Sequence, residues 1–436
     1  MIIKEKILHS IVFIGIFATN ITLADMTISQ VEYGPGDRKA GYDSVDYTTN
    51  SLSLEARIGK PADLLALMKN PPLGLPAIKQ PANNHATEQK LHLGKQLFFD
   101  RRLSFNGTIS CATCHIPEQG FTNNEIKTAV GFQGRSVKRN SPTMFNVAYL
   151  TRLFHDGREF TLEQLAWSPL LAHNEMANPS MGYVIHKIRN TDNYAELFDQ
   201  AFDGQGVTID TVGKALAVYQ RTLVSADSRF DRWYFGGDSS QLTDQEKQGF
   251  EIFTGKGNCS ACHTINNDYA LFTDNKLHNT GMGYQESMGV SEPTQRIQLA
   301  PGVYAEVERE VVESFRQKPK QSDLGLYELT QDPDDRWKYR TPTLRNVALT
   351  APYMHNGKFL MLREVIEFYN KGGIENELLS PLLRPLNLSE EEVDSMVAFL
   401  KTLTGGNVDT LVADAFSVPV KDIKDGQDHR KTLGSY

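Results

Sequence analysis

The sequence predicts an all-α fold of two homologous domains, with an N-terminal extension and an insertion in the second domain. Three observations predict it. Thr87–Phe99, Ile209–Val224, Asp244–Phe253 and Glu390–Leu403 repeat apolar residues at i, i+3 and i+4, the spacing of a helix with one buried face. No series of strand-like alternating segments runs between them. The chain also repeats itself: Ser141–Ala148 parallels Thr341–Ala348, and Phe154–Arg158 parallels Met354–Lys358. Across 22 positions at an offset of 200, eight are identical, which marks an internal duplication.

The elements follow in order. Lys4 and Lys6 precede an apolar run from Ile7 to Phe17, and Thr22-Leu23-Ala24 supplies small residues for cleavage. Residues 1–24 therefore read as a secretory signal peptide cut near Ala24. The apolar run is shorter than the ~20 residues that span a bilayer, and no later stretch spans one, so no membrane insertion is expected. An extension over 25–85 contains a proline-rich linker, Pro71–Pro76. The first domain is expected over 86–235, the second over 236–405 and a tail over 406–436. From His115 to Pro142 is 27 residues, but from His263 to Pro342 is 79, so the second domain holds an insertion, about 284–336. Within it Glu306–Phe315 is expected as a short helix. Ser389 with Glu392 makes a capping box for the last long helix. A net charge of −8 with 22% charged residues points away from nucleic acid and from a disordered acidic tail.

All four cysteines fall in two copies of one motif, Cys111-Ala112-Thr113-Cys114-His115 and Cys259-Ser260-Ala261-Cys262-His263. C-x-x-C-H is the attachment signature of a c-type haem: two thiols add to the vinyl groups, and the adjacent His ligates iron. One helical turn brings both sulfurs and the imidazole to one haem edge. A disulfide pair or a zinc knuckle of two CxxC pairs leaves both trailing histidines unexplained. Two covalent haem c groups on two small cytochrome c-like domains are expected. Such haem is attached outside the bacterial cytoplasm, so the mature protein is expected in the periplasm.

A haem with His on one face is closed by a second ligand or left open to a small molecule; closed haems move electrons, and open ones activate peroxide or O₂. The offset of 200 sets Tyr369 against Pro169, which has no group that binds iron. Tyr369 is thus a candidate sixth ligand of the His263 haem, and the His115 haem is the open one. Cleaving an O–O bond needs a proton carrier. Glu175, six residues after Pro169, is the candidate, with His173 competing.

Four segments now gain meaning: LGKQLFFDRRLS before the first motif, RNSPT at 139–143, LTAPYMHNG at 349–357 and VIEFYNKGG at 365–373. Over roughly 85–405 the chain resembles the bacterial di-haem cytochrome c peroxidase/MauG superfamily. In that superfamily the peroxidases carry Met as sixth ligand of the C-terminal haem, whereas the MauG-like branch carries Tyr, as here at Tyr369. The resemblance implies a distal Glu at Glu175 and a Ca²⁺ held by Asn140, Thr350 and the Pro352 carbonyl, oxygen donors that suit a hard cation. Three positions depart from the family pattern. Phe132 stands where the peroxidases carry a distal His, which implies a haem open without prior reduction. His155 replaces the frequent inter-haem Trp, so transfer between haems is expected to use His155, another aromatic or direct tunnelling. Leu165 stands where Gln is frequent, with Gln164 one place earlier; Trp167 nearby reads as a core aromatic.

The expected function is that of an H₂O₂-dependent periplasmic di-haem oxidoreductase. Peroxide binds at the His115 haem, Glu175 assists its heterolysis, and the oxidising equivalents are shared with the His263/Tyr369 haem. The donor is a small cytochrome or cupredoxin, or a residue on a partner protein; Tyr369 and Phe132 favour the second. A plain electron-transfer cytochrome requires a sixth ligand on both haems, against Pro169. A di-haem oxygenase acting with O₂ on a hydrophobic substrate leaves no mark that a sequence displays.

Overall fold

The computed structural model describes residues 59–289, 294–300, 303–308, 311 and 322–417. The expected signal peptide, most of the extension and the end of the tail lie outside the described residues.

Two helix crossings organise the molecule. Glu88–Phe99, capped by the Thr87 hydroxyl on the Lys90 N–H (3.2 Å), packs across Ile209–Arg221. It buries Leu93, Leu97 and Phe98 against Val212, Leu216 and Tyr219, with the Phe98 and Tyr219 rings 5.1 Å apart. Each such side chain contributes roughly 1.5–3 kcal/mol by leaving water. Asp244–Thr254 crosses Glu390–Lys401 in the same way, with the Phe253 and Phe399 rings 5.2 Å apart. Both crossings need a glycine. A side chain at Gly94 would overlap the Ala215 carbonyl, and one at Gly249 would overlap that of Ser395. Capping boxes start three of the four helices, at Thr208/Thr211, Thr243/Glu246 and Ser389/Glu392.

The repeat has a counterpart in the backbone. Asn146 and Asn346 both adopt the left-handed conformation (φ 62° and 61°), as do Phe154 and Met354 (62° and 70°). The Leu153 N–H bonds to Glu159 O (2.8 Å) and the Tyr353 N–H to Phe359 O (2.6 Å). The two copies meet reciprocally: Asn140 N–H donates to His355 O (2.8 Å), and Arg340 N–H to His155 O (2.7 Å).

The fold is mostly helical rather than all-α. Leu277–Asn279 (β1) pairs antiparallel with Lys338–Arg340 (β4), and Thr294–Ala300 (β2) with Val303–Glu308 (β3). The expected Glu306–Phe315 helix is corrected at its start, because Glu306–Glu308 complete β3. Its Val-Tyr-Ala-Glu-Val-Glu sequence has the polar alternation and β-branched content of a strand. Val311 is helical, and residues 309, 310 and 312–315 lie outside the described residues.

The extension and the tail both return to the first core. Leu64 lies in it, and so do Val408, Leu411 and Val412 of the Val408–Ala415 helix, which the sequence alone leaves unassigned. Lys95 Nζ pairs with Asp414 at 2.8 Å, and Lys60 N–H donates to Ala413 O (2.9 Å). Among the described residues, no helix is long and apolar enough to cross a membrane.

Candidate functional site

Each C-x-x-C-H segment turns within one helical turn, Cys111–Cys114 as an α-helix and Cys259–Ala261 as a 3₁₀ turn. All four cysteines are free. Burial pushes the Cys111 and Cys259 thiols up to about 12, so they stay protonated. The disulfide alternative is not formed. Among the described residues, the metal-ligating geometry that occurs joins Cys262, Asp274 and His278 rather than the two CxxC pairs, so the zinc alternative is not formed either.

Both trailing histidines are oriented from behind. With Nδ1 as donor, His115 bonds to Phe121 O (3.2 Å) and His263 to Phe272 O (2.8 Å), with the Pro142 and Pro342 carbonyls also against the rings; an imidazole held through Nδ1 presents Nε2 as its metal-binding nitrogen. Phe121 and Phe272 present those carbonyls from left-handed backbone, φ 53° and 51°. The loops are pinned by Thr143 Oγ1 on Gly120 O (2.6 Å) and Thr343 Oγ1 on Leu271 O (2.7 Å). Sequence reasoning missed these carbonyls; the duplicated Pro-Thr of 142–143 and 342–343 is the signal that accompanies them.

A cavity of about 460 Å³ opens beside the first motif, and its wall brings together Cys111, Cys114, His115, Pro169, Glu175 and His155. Free buried thiols, an imidazole held through Nδ1 and a largely apolar cavity fit a covalent haem. Burial raises the Glu175 carboxyl above the ordinary range, and Arg158 partly offsets this. Its charge is felt by both Cys111 and Cys114, so it faces the first motif. Glu175 is held in a tight turn, with its N–H on Ala172 O (2.9 Å) and its carbonyl accepting from Phe132 N–H (2.9 Å). His173, the competing candidate, is exposed and outside the cavity wall. Phe132 packs edge-on against Phe105 at 5.7 Å in the first core. Leu165 lines the cavity, Gln164 turns to the Thr161 hydroxyl (3.0 Å), and Trp167 is buried in the core.

His155 Nε2–H donates to Asn140 O at 2.9 Å. Burial, with the nearby His355 and Arg340, pushes its pKa down to about 3, so it is neutral at pH 7. Tyr369 comes from the Leu362–Asn370 helix. Burial raises its hydroxyl well above the usual phenol range, followed by the Cys262 and Cys259 thiols, so the hydroxyl lies on the side of the second motif. Of the calcium candidates, Asn140 donates Nδ2–H to Lys127 O (3.1 Å), Thr350 Oγ1 to Val347 O (3.2 Å), and Pro352 follows a cis bond. No hydrogen bond joins the three. Asn124 Oδ1 is a buried oxygen without a partner beside them, its Nδ2 3.5 Å from Leu349 O.

Comparison with known proteins decides the family. A family model described as di-haem cytochrome c peroxidase matches residues 88–240. The cytochrome-c peroxidase IdrP1 of Pseudomonas sp. (strain SCT) is 35% identical over 339 residues, 77% of this chain and 86% of that protein. The chain belongs to the di-haem cytochrome c peroxidase family. Within the family, the methylamine utilization protein MauG of Methylorubrum extorquens is 36% identical over 328 residues, 75% of this chain and 81% of that one. A solved MauG-like protein associated with microbial copper homeostasis aligns with TM-score 0.64 at 30% identity, covering 81% of this chain and 99% of its own. The chain is accordingly a di-haem oxidoreductase of peroxidase type, with haem c as cofactor.

Proposed function

We propose that this di-haem peroxidase consists of two homologous haem domains, an N-terminal one that takes H₂O₂ and a C-terminal one, closed by Tyr369, that shares the oxidising equivalents. One observation carries the reading: the two sites are asymmetric where the repeat aligns them. Pro169 and Glu175 line the cavity with His115, whereas the counterpart of Pro169 is Tyr369, whose hydroxyl lies toward Cys259 and Cys262. Cys111, Cys114 and His115 would hold one haem, and Cys259, Cys262 and His263 the other. Haem iron, when bound, supplies the redox chemistry.

The protein supplies the proton chemistry and the placement. Glu175, poised by burial, takes the proton from one peroxide oxygen and delivers it to the other, which leaves as water. Each H₂O₂ consumes two protons and two electrons and yields two waters. Tyr369 would hold the second haem's iron as a phenolate, giving up the proton that burial otherwise retains, and would favour ferric iron. Neutral His155 would serve transfer between the haems, a role supported by its place on the cavity wall and its bond to the segment that meets the second copy. Asn140, Thr350 and Pro352, with the unpartnered Asn124 oxygen nearby, would hold Ca²⁺ between the copies. The signal sequence directs the chain to the periplasm. There the electrons come from a residue on a partner protein, or from a small cytochrome or cupredoxin.

Glu175→Gln tests the reading. It is expected to lower the second-order rate constant for H₂O₂ by about 10²–10⁴-fold with both haems attached. An undiminished rate removes Glu175 from the reaction.

A further inference from the structure

Arg340 is a buried arginine without an anion. It ends β4, in the C-terminal half of the chain, yet it lines the cavity beside His115 and is only 7% exposed. Its Nε donates to Phe154 O (3.2 Å) and its Nη1 to Thr341 O (3.1 Å), both neutral carbonyls. Among the described residues it makes no ion pair. A guanidinium taken out of water without a counter-charge is strongly disfavoured. Desolvation alone acts on this one and pushes its pKa down to about 10.

The acids of the same wall do not supply the missing charge. Asp156 is engaged by Arg139 (2.6 Å) and Arg158 (3.0 Å). Glu328 is engaged by Lys138 at 2.5 Å. Glu175 is reached by the charge of Arg158, not of Arg340. Arg139 and Arg158, the other two arginines of the wall, are thus neutralised by protein carboxylates, and Arg340 is left over. The cavity, about 460 Å³ and walled by Cys111, Cys114 and His115, is the one that would take the first haem, a group that carries two propionate carboxylates.

We infer that Arg340 is the counter-ion of a propionate of the haem attached at Cys111 and Cys114. This rests on the reading of that cavity as the first haem site. The N–H of the same residue holds His155 O at 2.7 Å. One residue of the C-terminal half thereby fixes both the charge balance of the N-terminal haem and the backbone beside it. At the repeat-equivalent position stands neutral Asn140, so the device exists on one side only.

The test is the reduction midpoint of the first haem in the holoenzyme and in Arg340→Met and Arg340→Lys. Haem-peptide mapping is done on all three. Haem absent from the Cys111–Cys114 peptide of the wild type would refute the reading of the cavity, independently of Arg340. With haem present, removing a cation that faces a propionate favours the ferric state. We expect the Fe(III)/Fe(II) balance in Arg340→Met to move about tenfold toward ferric, ~59 mV for one electron. The second haem should be unmoved, and Arg340→Lys should stay close to wild type. An unshifted first-haem midpoint in Arg340→Met overturns the inference. If Arg340→Met does not retain the first haem, Arg340→Lys decides: near-wild-type loading and midpoint uphold the charge role, and loss of haem as in Arg340→Met overturns it.

Discussion

Glu175 and Tyr369 carry the proposed division of labour, and each has its own signature. A carboxyl raised by burial is ionised only above its raised pKa. If its anion is the base that takes the peroxide proton, the H₂O₂ rate constant falls as pH drops through that value, on a limb above the ordinary 4.5 of glutamate. A pH–rate profile of Glu175→Gln should lack this limb; its persistence would assign it to another group. Tyr369→Phe should alter the low-spin haem spectrum and raise the second-haem midpoint, since phenolate favours ferric iron. An unaltered spectrum removes Tyr369 from the coordination sphere. Both candidates are legible in the sequence because the repeat's offset of 200, carried past Leu162/Leu362, sets Tyr369 against Pro169, with Glu175 six residues on. The carbonyls of Phe121 and Phe272 are not. Left-handed backbone at a bulky residue is imposed by packing and has no local sequence preference to betray it.

At the scale of elements, the two helix crossings are the joints that set each C-x-x-C-H segment against its core. Their glycines sit under carbonyls of the opposing helix, so an added methyl must push the helices apart. Gly94→Ala and Gly249→Ala should each destabilise the fold by about 1–3 kcal/mol, measured by urea unfolding. Wild-type stability in either variant would show that the crossing yields. The four crossing helices are readable because each exceeds two turns, keeps a 3.6-residue apolar period and mostly begins at a capping box. β1 and β4, three residues each, are too short for a period to emerge, and only their pairing across the insertion defines them. β3 does alternate, but its two glutamates read equally as the start of a charged helix, and the pairing with β2 decides the outcome.

Across the whole molecule, a few buried charges tie distant segments together. Arg345 (1% exposed side chain) grips Asp231 with two bonds of 2.8 and 2.9 Å, and also holds Gly74 O and Ala270 O at 2.6 Å. The linker, the Arg229–Tyr234 helix and the second repeat thus share one guanidinium. Asp231→Asn should cost about 3–5 kcal/mol in unfolding free energy, because it leaves a buried cation uncompensated. A loss under 1 kcal/mol would show that Arg345 finds another partner or water. The tail helix returns to the first core through Lys95 and Asp414, a closure that no local pattern announces because its partners lie more than 300 residues apart in sequence. The central claim is that the first haem site is open to peroxide in the resting, fully oxidised protein. Stoichiometric H₂O₂ added to that protein, with the haem spectrum recorded within seconds, tests it most directly. An immediate, persistent spectral change without prior reduction is predicted. No reaction until one haem has been reduced would contradict the account and place the protein in a reduction-activated peroxidase cycle.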